Sequence, residues 1–140
     1  MKHAALLNRL HQHQEDALAI MRDAEPMLTD PARRDIAQLA RARWALMRVL
    51  TAYQLFKHGQ VFDPTVSGRL LGDAARAARM KEACAAMGEA FRDHVTRWSS
   101  SDVAGEWEVY RPAALGMIAK LRAHITRERS EITTLLDRAA

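Results

Sequence analysis

The sequence predicts an all-α chain folded as an up-down-up-down four-helix bundle. Three observations carry that expectation. Apolar residues recur three and four positions apart in four separate stretches, no stretch alternates with period two as a strand would, and the connections are short enough to make successive helices antiparallel neighbours. At 140 residues the chain has the length of one domain, so residues 1–140 are read as a single bundle.

The first helix is expected from about Ala4 to Leu28, with Leu7, Leu10, Ala17, Met21, Ala24 and Leu28 on one stripe and Gln14 in its polar slot. Pro26 is expected to loosen the last turn. Thr29-Asp30-Pro31 then closes it, with Asp30 as N-cap and Pro31 as the first residue of the second helix. That helix gathers Ile36, Leu39, Ala40, Arg43, Leu46, Met47, Leu50 and Tyr53 on one face. It is expected to stop near Gly59, ahead of a loop marked by Asp63-Pro64 and Ser67-Gly68.

The third helix is expected from Leu70 or Asp73 to Trp98, rich in alanine, with Ala77, Met80, Cys84, Met87 and Phe91 on one side. Ser99-Ser100-Ser101-Asp102 ends it and caps a short segment through Glu106, Trp107 and Tyr110. The fourth helix then runs to about Leu136, with Leu115, Ile118, Leu121, Ile125, Glu128, Ile132 and Leu135 on one stripe.

Composition narrows the function. The net charge is +4, but basic and acidic residues alternate, as in Arg22-Asp23, Arg34-Asp35 and Arg92-Asp93, which is the pattern of a solvated face. Only Arg69 to Lys81 is locally basic, and it lacks interleaved aromatics, so nucleic acid is not an expected partner. There is no apolar run of membrane-spanning length and no hydrophobic leader segment, so no membrane partner is expected and the chain is read as cytoplasmic. Cys84 is the single cysteine, which excludes an internal disulfide and a Cys-based zinc cage; its alanine neighbours mark an inert buried thiol. A Ser-His-Asp or Cys-His arrangement, a glycine-rich phosphate loop and a matched carboxylate pair are all missing, so the chain is not expected to be an enzyme.

The expected topology brings the starts of the first and third helices to the ends of the second and fourth. His11 and His13, then Tyr53, Lys57 and His58, then Arg76, Arg79 and Lys81, and finally His124 and Glu128 share that pole. His94 falls at the other and is set aside as a ligand. His124 and Glu128 are four apart, so both reach one point on a helix face. Glu128 lies on the apolar stripe, where a carboxylate needs a partner. His13 shares a face with Leu6, Leu10, Ala17 and Ile20. A lone inward histidine is also an ordinary core residue, and an i,i+4 His-Glu pair also stabilises ordinary helix surfaces.

Three stretches carry a resemblance: Arg43-Trp44-Ala45-Leu46 through Val61-Phe62-Asp63-Pro64, Met87-Gly88-Glu89-Ala90-Phe91 through Arg97-Trp98, and Leu121-Arg122-Ala123-His124-Ile125-Thr126-Arg127-Glu128. Their spacing resembles the hemerythrin-like (HHE cation-binding) family of non-haem di-iron bundles. The resemblance implies a helix-one histidine ligand at His13, or at His11 if the register slips, and a helix-four pair at His124 and Glu128. It places Tyr53 at the helix-two histidine position and Lys57 at the helix-two carboxylate position. Between Arg76 and Cys84, where a helix-three histidine is implied, none exists.

A lysine where a bridging carboxylate should sit repels metal ions, and it invites a buried pair with Glu128. The expectation is therefore a polar core network of Lys57, Glu128, Tyr53 and His124 in a degenerate metal site. The implied function is a hemerythrin-like bundle that has largely lost its di-iron site, carries no cofactor, and acts as a non-catalytic binding or signalling protein. The alternative is a non-haem iron protein that binds or senses dioxygen, nitric oxide or peroxide through a reduced ligand set. A single divalent transition metal on His13, His58, His124 and Glu128 is a further version of it. An unidentified protein partner and a homodimer are compatible with either.

Overall fold

The computed structural model describes residues 3–70 and 72–138, and within them the chain is all-α. Four long helices carry it: α1 Ala4–Thr29, α2 Ile36–Lys57, α3 Ala74–Ser99 and α4 Trp107–Arg138. α1 buries Leu10, Gln14, Ala17, Met21, Ala24 and Leu28, spaced by three and four so that they form one stripe. Leu7, near the start of the helix, is only half-buried. Pro26 does not loosen the last turn. Proline removes a donor but keeps its acceptor, and the Asp30 N–H donates to the Pro26 carbonyl at 2.9 Å.

Asp30 does act as a cap, accepting from the Ala32 N–H at 3.0 Å. What it starts is a separate 3₁₀ turn, Pro31–Arg33, and not α2. α2 begins at a second cap, Asp35, which accepts from the Gln38 N–H at 3.0 Å. Each such cap contributes about 1 kcal/mol.

The helical path also does not stop near Gly59. It widens into a π turn, His58–Phe62, where the Asp63 N–H reaches back to the His58 carbonyl, and continues through a helical turn, Asp63–Val66. Pro64 therefore sits in the first turn of a new register, where its missing N–H costs no helical bond. The chain turns only after Val66, at Gly68 (φ +81°) and Gly72 (φ +153°), both in conformations that side chains disfavour. Asp73 then caps α3 by accepting from the Arg76 N–H at 3.0 Å.

The expected short segment before the fourth helix is likewise absent as a separate element. α4 starts at Trp107 and runs past Pro112 without interruption. Pro112 lies only in the second turn, so few upstream helical bonds are affected. Asp102, in the turn before α4, accepts from the Gly105 N–H at 3.0 Å.

α1 packs on α2 and α4, and α3 packs on α2 and more sparingly on α4. One end of the core is closed by aromatics: Trp98 meets Tyr110 edge-on at 5.0 Å, and Trp107 lies 5.8 Å from Tyr110. Burying each such ring contributes roughly 2–3 kcal/mol. Near this end the Arg111 Nε donates to the Leu28 carbonyl at 2.7 Å, tying the start of α4 to the end of α1. The other end holds Tyr53, Lys57, Val61 and Phe62, all buried. No described helix is long and apolar enough to cross a membrane.

Candidate functional site: a buried lysine-glutamate centre

Tyr53 and Lys57 stand one turn apart on α2, as do His124 and Glu128 on α4, and the two pairs face each other across the core. Lys57 Nζ lies 2.6 Å from Glu128 Oε1 and 2.8 Å from Oε2. The Tyr53 hydroxyl donates to Oε1 at 2.8 Å. Lys57 is 2% exposed and Glu128 4%, so the pair is almost wholly shielded from bulk water. The ammonium also lies 3.8 Å from the centre of the Tyr53 ring, a cation–π contact that replaces part of its lost hydration.

The network extends into α1. Gln14 Nε2 donates to the Tyr53 oxygen at 2.9 Å, and Gln14 Oε1 accepts from Arg129 Nε at 2.9 Å. Arg129 in turn holds Glu15 at 3.1 Å at the surface. Every polar group from Arg129 inward to Lys57 thus has a partner, the condition under which buried polar atoms are tolerated.

Burial alone pushes the Glu128 carboxyl up, but the adjacent His124 imidazole and the Lys57 ammonium outweigh it, and its pKa sits below the ordinary carboxylate value. The carboxyl is therefore ionised. Burial, then the Glu128 charge, push the Tyr53 phenol up, so Tyr53 remains a neutral donor. His124 Nε2 lies 3.2 Å from Glu128 Oε1 but is not aligned for a hydrogen bond and has no other partner among the described residues. It is a close polar neighbour of the pair without being bound into it.

Cys84 completes the surroundings. Its thiol is buried, and burial pushes its pKa up. One ligand atom from each of Cys84, His124 and Glu128 falls within 4.8 Å of the others, a spacing that suits one metal ion. Both oxygens of Glu128, however, already face the Lys57 ammonium.

The other histidines named from the sequence lie outside this group. His13 is half-buried against the rings of Phe56 (5.1 Å) and Tyr53 (6.1 Å), and burial lowers its pKa. His11 is half-buried two residues earlier. The α1 residue that reaches the centre is Gln14, which the apolar stripe had marked. His58 packs edge-on against Phe62 at 5.6 Å; its Nε2 has no partner among the described residues, and burial followed by the charges of Lys57 and Lys81 lowers its pKa. Sequence reading missed Arg129, which carries no signal beyond adjacency to Glu128. It also read Cys84 only as an inert buried thiol on the inward face of α3, not as a neighbour of His124 and Glu128.

A second buried cation sits nearer the aromatic end. Arg43, 8% exposed, donates from Nη1 to the Tyr110 hydroxyl at 3.0 Å and from Nη2 to the Trp98 carbonyl at 3.5 Å, with no carboxylate partner among the described residues. His94 stacks between Phe91 (6.1 Å) and Tyr110 (6.3 Å). Burial, then the Arg43 charge, push the His94 pKa down to about 4.

Comparison with family models, with curated proteins and with solved structures finds no match to this chain. The functional reading therefore rests on the chemistry of the core.

Proposed function

We propose that the chain is a non-catalytic binding or signalling protein, a single hemerythrin-like bundle in which an ion pair occupies the position of a metal centre. The observation that carries this reading is the placement of Lys57 Nζ against both oxygens of Glu128, at 2.6 and 2.8 Å. A carboxylate that holds a metal must offer it an oxygen, and here both are taken by a cation that is almost wholly buried. The up-down-up-down arrangement belongs to the same proposal. It is supported by contacts of Gln14 in α1 with Tyr53 late in α2 and Arg129 late in α4, and of Arg43 early in α2 with Trp98 late in α3.

The test is elemental analysis of full-length protein purified from iron-supplemented cells, followed by anaerobic iron addition and exposure to air. The expected result is far less than one iron per chain and no oxo-bridged di-iron absorbance. Close to two irons per chain overturns the reading.

A second reading is favoured by one observation, the convergence of Cys84, His124 and Glu128 donor atoms within 4.8 Å. A sulfur, nitrogen and oxygen set suits zinc or iron(II), one ion rather than two. Binding requires the Lys57 ammonium to leave Glu128. Cobalt(II) titration tests it: a thiolate-to-cobalt charge-transfer band that reaches its plateau at one equivalent supports a mononuclear site, and no band excludes it.

A further inference from the structure

The sparse contact between α3 and α4 leaves an open groove of about 700 Å³. Its α3 wall presents Ala83, Ala86 and Ala90, all exposed, with Met80 and Met87 beneath them. Arg76 through Ala90 covers about 21 Å of helix at about 1.5 Å per residue, some four turns. His124 and the already paired Glu128 lie in the lining from α4.

The charge around this groove is one-sided. Arg76 and Arg79 line it from α3, and Lys120 and Arg127 from α4, against the single free carboxylate of Glu131. None of these four cations has an acidic partner within 4 Å among the described residues. Some surface cations elsewhere are paired, as in Lys81 with Asp63 at 2.6 Å and Arg129 with Glu15 at 3.1 Å. Around this concave apolar surface four cations without acidic partners face one free carboxylate.

We propose that this groove receives an acidic amphipathic helix of a partner protein. The proposal rests on the reading of the chain as a binding protein and names the partner's chemistry. The alanine wall lets a helix backbone approach closely, as larger side chains would not, and the methionines adapt to an irregular apolar face. Carboxylates along the flanks of the incoming helix meet Arg76 and Arg79 on one side and Lys120 and Arg127 on the other. The apolar contact supplies most of the affinity, and the charges supply partner choice and association rate. A second copy of this chain is a poor occupant, because groove against groove sets these cations against their own copies.

The experiment is fluorescence anisotropy of the full chain with a labelled helical peptide of about 18 residues, long enough to hold helix when bound, bearing an Ala/Leu face flanked by glutamates. A second peptide carries lysine at each glutamate. The acidic peptide is expected to bind at least tenfold more tightly than the basic one, and to weaken between about 50 and 300 mM salt as screening grows. Ala86→Glu, or Arg79→Glu with Arg127→Glu, is expected to weaken it at least tenfold. Arg22→Glu, on α1 and outside the groove, is expected to leave it unchanged.

Circular dichroism of each variant establishes that α-helical content is retained. Equal binding of the two peptides overturns the proposal, as does acidic-peptide binding that Ala86→Glu leaves intact. Saturable dodecanoate binding abolished by Ala86→Glu, without peptide binding, assigns the groove to a lipid anion and overturns it too. Iron is assayed in the same samples, so failure of the metal-free reading is seen separately from failure of peptide binding.

Discussion

Lys57 and Glu128 form a two-pronged ion pair across the core, ammonium to both carboxylate oxygens at 2.6 and 2.8 Å, with Tyr53 as a third donor. Removing one partner leaves the other charged, buried and unpaired. Lys57→Met and Glu128→Leu are each expected to lower unfolding free energy by about 3–5 kcal/mol. The double variant, apolar on both sides, is expected to lose much less than their sum. Urea unfolding of the four proteins checks this, and additive losses would show that the pair is not coupled.

Lys57→Met also frees Oε2 of Glu128 beside Cys84 and His124 and leaves only the Tyr53 hydroxyl on Oε1. Affinity for zinc is expected to rise at least tenfold over the parent, and Cys84→Ala in the same background is expected to abolish the gain. Isothermal titration with zinc measures it. An unchanged affinity means that the donor atoms cannot close on one ion even without the lysine.

Acid stability follows from two groups. His94 has a pKa lowered to about 4 in the fold against 6.5 outside it, so between those values the unfolded chain binds the extra proton. Its contribution is whole above pH 6.5 and is lost as pH falls from 6.5 toward 4, a change on the order of 3 kcal/mol. His94→Gln is expected to flatten stability across that window in chemical denaturation. Glu128 acts lower, because its depressed pKa keeps its contribution whole above the ordinary 4.5, and that contribution is lost as pH falls through the folded value.

Arg43 is the cation for which the core provides no carboxylate among the described residues. Arg43→Met removes a buried charge and two hydrogen bonds together, so stability is expected to stay within about 1 kcal/mol of the parent or to rise. Because burial and then Arg43 depress His94, the His94 pKa is expected to move up yet remain below 6.5. NMR titration of the imidazole separates this from a general loosening, which would bring His94 to its ordinary value.

Gly116 sits exposed within α4, and a Cβ there would meet nothing within 4 Å. Gly116→Ala is expected to stabilise by up to about 1 kcal/mol through helix propensity. Gly88→Ala should gain less, since its Cβ would come within 2.8 Å of the Gln54 amide and force it to move. Thermal unfolding ranks the two.

The extent of what could be read in advance follows from which signals are local. The stripe from Leu10 to Leu28 is periodic within one helix, and the structure buries it, because helical period alone decides which residues share a face. Gln14 and Glu128 stood out as polar residues on apolar stripes, and both are buried in the network. The boundaries were less legible. Asp30-Pro31 and Asp63-Pro64 carry the same turn chemistry whether they begin a 3₁₀ turn, continue through a π turn or end a helix, and the packing of Val61 and Phe62 into the core favours continuation.

By itself the sequence determined the all-α class, the inward faces, and the presence of a lysine where the resemblance calls for a carboxylate. Only the tertiary structure decided that Gln14, and not His13, reaches the centre, that Cys84 stands beside His124 and Glu128, and that α3 and α4 part to leave a basic groove. Helical periodicity places a residue on a face to within a fraction of a turn. The rotation and separation of one helix against the next, which set every distance at the Lys57–Glu128 centre, arise from side-chain packing summed over the whole core.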